Sequence, residues 1–400
     1  VAKKRILYVS GSIGLGHVTR DLAIAQQLHK QYPEVELLWL AAYPATIPLK
    51  EAGEKLLPEA EVYGDVNIPA EKAARGFGMN ILTYGRKVRR QFFRNVRVIK
   101  QIISKEHFDL VIGDETYELA VALAIKYILL QAPFVMIYDF LGMDSVTKNP
   151  FEKLEVYASN RIWTWMDRRL FSGQMNLALF AGEPGDVPDK NLGFLLPNCR
   201  DHALAHYKFT GHILPFDPTE YIDKTRIREK LGYGKEPLLV CSIGGTAVGK
   251  DLLELCGRAY PIIKQKVPDL HMVLVCGPRL TVDSVQVPDG VEVKGYVPTL
   301  YEHFAASDLV IVQAGGTATL ELTALRRPFL YFPLANHCEQ QIHVADRLAR
   351  HQAGIKMIYS QTTPEILAEK VIANLGKNVD YPPIPVKGAQ KAAQLIGELL

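Results

Sequence analysis

The turn Gln313-Ala314-Gly315-Gly316-Thr317 follows directly on the apolar run Asp308–Val312, and a helix-type stretch follows the turn. Two adjacent glycines let a backbone approach a ligand closely. The next helix points free N–H groups and its positive dipole end at the turn, which suits a pyrophosphate. Glu321 lies one helical turn further in, where a carboxylate can accept hydrogen bonds from a ribose diol. A strand-like run, Pro328–Pro333, comes next. Glu339, Gln340 and Gln341 emerge after it as donors and acceptors for sugar hydroxyls. Diphosphate, ribose and sugar are thus served in chain order, as a nucleotide-sugar needs. An ordinary strand–helix–strand unit would explain the turn, but not the acid and the glutamine pair downstream of it.

A second glycine-rich loop, Gly11–Arg20, is spaced G-x-x-G-x-G-H, with Gly16 and His17 opening a helix. Dinucleotide sites are spaced G-x-G-x-x-G and carry an acid about twenty residues further on. Here Leu38–Ala41 stands in that place, so a plain NAD site is disfavoured. An imidazole at His17 titrates near neutrality and can take a proton, although a helix N-terminus depresses it slightly. The plainer reading is a neutral histidine that caps its own helix or packs at the domain cleft. Asp114 and Asp139 each stand at the end of an apolar strand. Asp114 suits equally the N-cap of the helix that follows it.

Three further constellations stand out. The loop Gly244-Gly245-Thr246-Ala247-Val248-Gly249-Lys250-Asp251 nearly spells a phosphate-binding P-loop, but Asp251 occupies the Ser/Thr position that would hold magnesium. Cys199, His202 and His206 share a helical face at metal-ligand spacing. A zinc site needs a fourth ligand and supporting partners, so a polar helix face is the default and no metal is expected. The run Tyr84–Lys100 holds Arg86, Lys87, Arg89, Arg90, Arg94, Arg97 and Lys100 without one acid, interleaved with Phe92 and Phe93. Arg161–Arg169 likewise pairs Trp163 and Trp165 with arginines. Such mixtures suit an anionic membrane surface or an anionic acceptor, or else a solvated helix paired with acids elsewhere.

These residues require two scaffolds. A chain of 400 residues exceeds what one core usually serves. Hydrophobic content of 48% and charged content of 22% describe an ordinary globular protein, and a net charge of +3 is too small to imply nucleic acid. The five cysteines are odd in number and widely spaced, which fits buried free thiols in a reducing compartment. Lys3-Lys4-Arg5 before Ile6–Val9 reads as the lead into a first strand rather than a signal peptide. The apolar stretch Val121–Phe140 is broken by Lys126, Gln131 and Pro133, so it reads as helix then strand rather than a membrane span. Strands are expected at Arg5–Ser10, Glu36–Leu40, Leu110–Gly113, Phe134–Tyr138, Leu177–Phe180 and Tyr207–Thr210. A second series is expected at Pro237–Ser242, Leu270–Cys276, Asp308–Val312 and Phe329–Phe332. Helices are expected at His17–Lys30, Tyr84–Ser104, Glu118–Leu129 and Lys387–Leu400. The alternation predicts an α/β protein of two Rossmann-like domains with parallel sheets, residues 1–213 and 214–385, and a C-terminal helix at 386–400.

The segment Gly295–Val344 resembles the donor-binding signature of GT-B glycosyltransferases. It falls between the plant-type small-molecule glucosyltransferases and the N-acetylglucosaminyltransferase family that completes the lipid-linked peptidoglycan precursor. Tyr296 stands where the glucosyltransferases carry a tryptophan that stacks on uracil, and Thr299 replaces their usual glutamine. Gln313 replaces a histidine or arginine that touches phosphate in those families; Glu321 matches the ribose acid and Gln340-Gln341 the sugar-holding pair. The same resemblance makes the turn after Ser242, with Gly244, Gly245 and Thr246, a lining for the donor phosphates, and counts Gly16, Gly315, Gly316, Thr317 and Glu339 with the donor-binding set. Gly211–Pro215 resembles a turn of the lipid-precursor family, without that turn's arginine. Gly11–Arg20 resembles the acceptor-side loop of both groups. In the small-molecule enzymes its histidine is the general base, which implies that role for His17 with Asp114 as orienting partner; the lipid-precursor family lacks an acid in the matching stretch.

The resemblance implies an inverting, metal-independent transferase with the GT-B fold. Its two sheets would face a central cleft, and the last helix would cross back to the first domain. The donor would be a UDP-sugar carrying a hexose or N-acetylhexosamine. No cofactor beyond that donor is expected and no nucleic acid; the sequence leaves the acceptor open, a lipid-linked hydroxyl being one candidate. A cytoplasmic protein, peripheral on the inner face of a membrane through Arg86–Lys100, fits this reading. The rivals are a nucleotide-sugar hydrolase or epimerase on the same fold, and a non-catalytic binding subunit. Free sugar, new glycoside or unchanged donor would tell them apart.

Overall fold

The computed structural model describes residues 3–10, 13–79 and 81–400. Two compact units emerge: the first joins Val1–Ala73, Ile81–Pro215 and Pro385–Leu400, the second joins Ala74–Asn80 and Phe216–Ile384.

The first unit carries a parallel sheet of β1 (Lys4–Ser10), β2 (Val35–Ala41), β3 (Leu110–Asp114), β4 (Phe134–Tyr138), β5 (Leu177–Phe180) and β6 (Tyr207–Phe209), in the order β2-β1-β3-β4-β5-β6. Chain direction across the sheet reverses between β1 and β3, which makes the carboxyl ends of these two strands a topological switch point. Ile6, Leu7, Tyr8 and Val9 are all fully buried. Helices cover both faces, so the strands read as unbroken apolar runs rather than alternating ones. Leu7, Val9 and Val111 enter one core while Ile6, Tyr8 and Ile112 enter the other, the period-two alternation of a strand. The helix Gly388–Gly397 belongs to this unit and sets Ala389, Ala392, Ala393 and Ile396 into the core that holds Ile24, Ala25 and Leu28 of the helix Gly16–Gln31.

The second unit repeats the plan with β7 (Leu238–Ser242), β8 (His271–Val275), β9 (Val291–Lys294), β10 (Leu309–Gln313), β11 (Phe329–Phe332) and β12 (Ile355–Lys356), ordered β12-β11-β10-β7-β8-β9. The segment 74–80 joins it. Phe77 stacks on Tyr359 at 4.5 Å between ring centroids and meets Phe332 edge-on, and its carbonyl accepts the Ala335 N–H at 3.0 Å.

The α/β two-sheet architecture is the one the sequence predicts. The helix expected at Glu118–Leu129 instead ends at Ala124. Lys126 takes a left-handed backbone there, and the Tyr127 N–H returns to the Ala122 carbonyl, a closing turn that stops the helix. Strands β9 and β12 were not expected; both lie at sheet edges and stay partly exposed. All five cysteines are buried, and no disulfide links any of them among the described residues. Among the described residues no helix is long and apolar enough to cross a membrane.

Candidate active site

In the first unit the loop after β1 opens the helix Gly16–Gln31, with Gly14 in a left-handed conformation (φ +87°) and its N–H held by Asn67 Oδ1 at 2.7 Å. Gly11 and Ser12 of this loop lie outside the described residues. No side chain caps the helix start, so His17 is not spent on that task. Its Nδ1 lies 3.3 and 3.4 Å from the carboxylate oxygens of Asp114, which ends β3 and is fully buried. Asp114 does not cap the helix behind it either; that position belongs to Thr116.

Arg20, three residues from His17 on the same helix face, ties the cluster together. Its Nη2 donates to Asp114 Oδ1 at 2.5 Å and approaches His17 Nδ1 at 2.8 Å, and its Nη1 donates to Asp139 Oδ2 at 2.7 Å. Burial opposes ionisation of Asp114 and Asp139, yet the Arg20 and His17 charges hold both carboxyls below their usual range. Burial also works against a charged His17, but Asp114 outweighs it and raises the imidazole above its ordinary value. Two more acids complete the group. Asp21 is fully buried and receives the Tyr8 hydroxyl at 2.9 Å and the Ser10 hydroxyl at 2.5 Å; burial and the Asp114 charge push its carboxyl well up. Glu115 adopts φ +48° and is pushed up by burial and by Asp139.

His17, Glu115 and Asp139 bring ligand atoms within 4.8 Å of one another, a group able to hold a cation. Arg20 already supplies positive charge to Asp139 there. Sequence reasoning gave Arg20 and Asp21 no role, and Glu115 only a place in the first turn of the helix after β3. The available signal was the spacing of His17, Arg20 and Asp21, which puts all three on one face of a helix that starts at two strand ends.

In the second unit Gly244, Gly245 and Thr246 follow Ser242 of β7, and Gln313, Gly315, Gly316 and Thr317 stand at the end of its neighbour β10. Ser242 ends β7 beside Val312, and its hydroxyl accepts the Gly244 N–H at 3.3 Å. Gly249 stands at φ +110°, and a Cβ there would meet Gln313 Oε1 at 2.5 Å, so the missing side chain makes room for the amide. Gln313 Oε1 is buried with no hydrogen-bond partner. Gly315 begins the helix Gly316–Ala324 in extended backbone, and no side chain caps that helix. Gly315, Gly316, Thr317 and Thr246 stay partly open to solvent, and Thr319 turns its hydroxyl back to the Gly315 carbonyl at 2.8 Å.

Glu321 is buried and makes no side-chain hydrogen bond or ion pair among the described residues; burial pushes its carboxyl up to about 8. Glu339, Gln340 and Gln341 lie in a π-helical turn after β11. Gln340 Oε1 accepts the Leu334 N–H at 2.8 Å, and Gln341 Nε2 donates to the Leu334 carbonyl at 3.0 Å, so both also brace the loop before them. Tyr296 is half-buried in the loop after β9. Gly16 stands in the first unit, at the opening of the His17 helix.

Lys250 pairs with Glu254 at 3.2 Å, a helix-surface contact. The face of Cys199, His202 and His206 is otherwise engaged: Cys199 Sγ donates to the Leu141 carbonyl at 3.3 Å and His202 Nε2 meets Asp167 at 3.0 Å.

Residues 239–395 match the glycosyltransferase family 28 C-terminal domain. The chain is 27% identical over 183 residues to the UDP-N-acetylglucosamine–N-acetylmuramyl-(pentapeptide) pyrophosphoryl-undecaprenol N-acetylglucosamine transferase of Carboxydothermus hydrogenoformans, a match covering 44% of this chain and about half (48%) of that protein's length. The protein of the same name from Acetivibrio thermocellus is 24% identical over 376 residues, covering 91% of this chain and 87% of that one. Among solved structures, the glycosyltransferase SnogD from Streptomyces nogalater superposes with a TM-score of 0.56 at 16% identity, covering 100% of both chains. That likeness establishes the GT-B fold.

Proposed function

We propose that this GT-B-fold glycosyltransferase moves a hexose or N-acetylhexosamine from a UDP-sugar to an acceptor hydroxyl by a single inverting displacement, without an obligatory metal. The pairing of His17 with buried Asp114 at the switch point of the first sheet carries the reading. His17 Nε2 takes the acceptor proton as the hydroxyl oxygen bonds to the anomeric carbon. The bond from that carbon to the diphosphate breaks on the opposite face, and its electron pair leaves with UDP. Uncapped N–H groups at the Gly316–Ala324 helix start would meet the charge that develops on the leaving diphosphate. Glu321 would take the ribose diol, Tyr296 the base, and Gln313, Ser242 and Thr246 the phosphates. Glu339, Gln340 and Gln341 would take the sugar.

The relatives' names specify UDP-N-acetylglucosamine and an undecaprenol-linked acceptor, which supports a UDP-sugar donor and a lipid-linked acceptor here. The helix Ile81–Lys105 adds support. Arg86, Arg89, Arg90, Arg94 and Arg97 are exposed beside exposed Phe93, and none forms an ion pair among the described residues. Such a face suits an anionic acceptor or the anionic surface of a membrane.

The test is to incubate purified protein with UDP-N-acetylglucosamine and UDP-glucose, with and without extracted lipids, and to follow products by mass spectrometry. A new glycolipid with released UDP is expected, unaffected by a chelator, with the anomeric configuration inverted in its NMR spectrum. Free sugar alone would make the protein a hydrolase, and unchanged donor a binding subunit.

A further inference from the structure

We propose that Arg20 is a positioning residue for His17: it fixes which ring nitrogen carries the proton and keeps the imidazole idle until the guanidinium turns away. The inference rests on the reading of His17 as the base.

The distances set two hydrogen-bonding states against each other. Arg20 Nη2 lies 2.8 Å from His17 Nδ1, whereas the nearer Asp114 oxygen lies 3.3 Å from the same nitrogen. A guanidinium offers only donors and keeps its protons, so the short contact is a hydrogen bond only while Nδ1 presents its lone pair. A neutral ring then carries its proton on Nε2, the nitrogen that must be bare to accept one from a hydroxyl. The base-competent tautomer has its proton on Nδ1, directed at Asp114. That N–H would meet the Arg20 N–H head-on, so the two states exclude each other.

The surroundings permit a turn without loss of the ion pairs. Arg20 is 6% exposed, and Nη1 is anchored on Asp139 at 2.7 Å. Turning Nη2 wholly onto Asp114, already 2.5 Å away, breaks only the contact with the imidazole. Two further carboxyls face the cluster: Asp21 and Glu115 are both raised by burial and by a neighbouring carboxylate, and the hydroxyls of Tyr8 and Ser10 are engaged with Asp21. An idle ring cannot activate stray water against a bound donor.

The experiment is nitrogen-15 NMR of the His17 imidazole, recorded above its titration and assigned with H17A. In the wild-type chain Nδ1 should resonate as a bare nitrogen and Nε2 as a protonated one. In R20K, whose compact ammonium keeps the charge but cannot fork between three partners, the proton should move to Nδ1. R20K should also release UDP from the donor without acceptor several-fold faster than wild type. A wild-type ring protonated on Nδ1 overturns the proposal with no variant needed. So does an unchanged tautomer in R20K, or a shifted tautomer without faster release. Full turnover in H17A would instead remove the base reading, leaving the tautomer result intact.

Discussion

The two candidate sites are opposites in how their polar groups are paired. Around the start of the Gly16–Gln31 helix, charge answers charge: Arg20 neutralises Asp114 and Asp139, His17 leans on Asp114, and Asp21 is held by two hydroxyls. At the ends of β7 and β10 the polar groups wait. Among the described residues, Gln313 Oε1 and the Glu321 carboxyl have no hydrogen-bond or ion-pair partner, and no side chain caps the Gly316–Ala324 helix. Buried polar groups without partners are costly, so the second site resembles half of a complex whose other half is the ligand. The first has its charges paired before any ligand arrives, although Arg20 Nε finds no hydrogen-bond partner among the described residues. One therefore should fail in rate when altered, the other in affinity.

Removing the proposed base gives the largest expected effect. His17→Ala should lower turnover by about 10²–10⁴ and erase the acidic limb of the pH–rate profile, with UDP affinity and fold unchanged. Near-normal turnover in steady-state assays would move suspicion to Asp114 or Asp139. Next is the ion-pair hub. Arg20→Met leaves two carboxylates without a cation and should cost about 3–5 kcal/mol in urea unfolding, because a broken buried pair strands a charge. Asp114 and Asp139 titrate below their unfolded values, so their stabilisation is complete above the unfolded carboxylate range and drains as pH falls through the folded values. The variant should lose that acid dependence, and an unchanged acid slope would contradict the pairing.

The waiting site should behave in the opposite sense. Glu321→Ala should weaken UDP binding by about 1–3 kcal/mol in calorimetry, the cost of one charge-assisted hydrogen-bond partner. A diol that donates to the carboxylate favours its ionised form. Wild-type affinity should therefore climb as pH rises toward about 8 and level off above it, while Glu321→Gln should be flat. For the unliganded protein the sign reverses. A folded value of about 8 lies above the unfolded one, so stability falls as pH rises between them, and the glutamine variant should escape that loss. Parallel pH curves for the two proteins would break the contrast between the sites. Smallest of all, replacing Arg90 and Arg94 with Gln should weaken flotation on anionic vesicles by about 1 kcal/mol per residue, with no effect on neutral ones. Equal flotation would detach this helix face from any anionic surface.

The strands were legible because a parallel sheet covered on both faces demands unbroken apolar runs, and Ile6–Val9 or Leu309–Val312 can be little else. Edge strands obey a weaker rule: Val291–Lys294 alternates apolar with charged residues and stays half exposed, so it carried no such signature. The turn at Gly315-Gly316 and the place of Glu321 on the helix after it were legible because they are local, set by one turn and one helix. Arg20 was not, since its meaning depends on β3 and β4 ending side by side, a fact of the sheet rather than of neighbouring residues. Nor does anything in residues 74–80 announce that Phe77 belongs to the core of the second unit.

The helix Gly388–Gly397 has a consequence for how the chain is made. It covers the core beneath the helix that bears His17 and Arg20, yet it follows the whole of the second unit in the order of synthesis. Domains commonly fold as they leave the ribosome, the earlier one first. Here the earlier unit emerges with Ile24 and Leu28 uncovered and acquires its final layer only after residues 216–384 have been translated. The nascent first unit thus lacks that layer while residues 216–384 are made, and a chain halted before residue 388 leaves these apolar side chains uncovered.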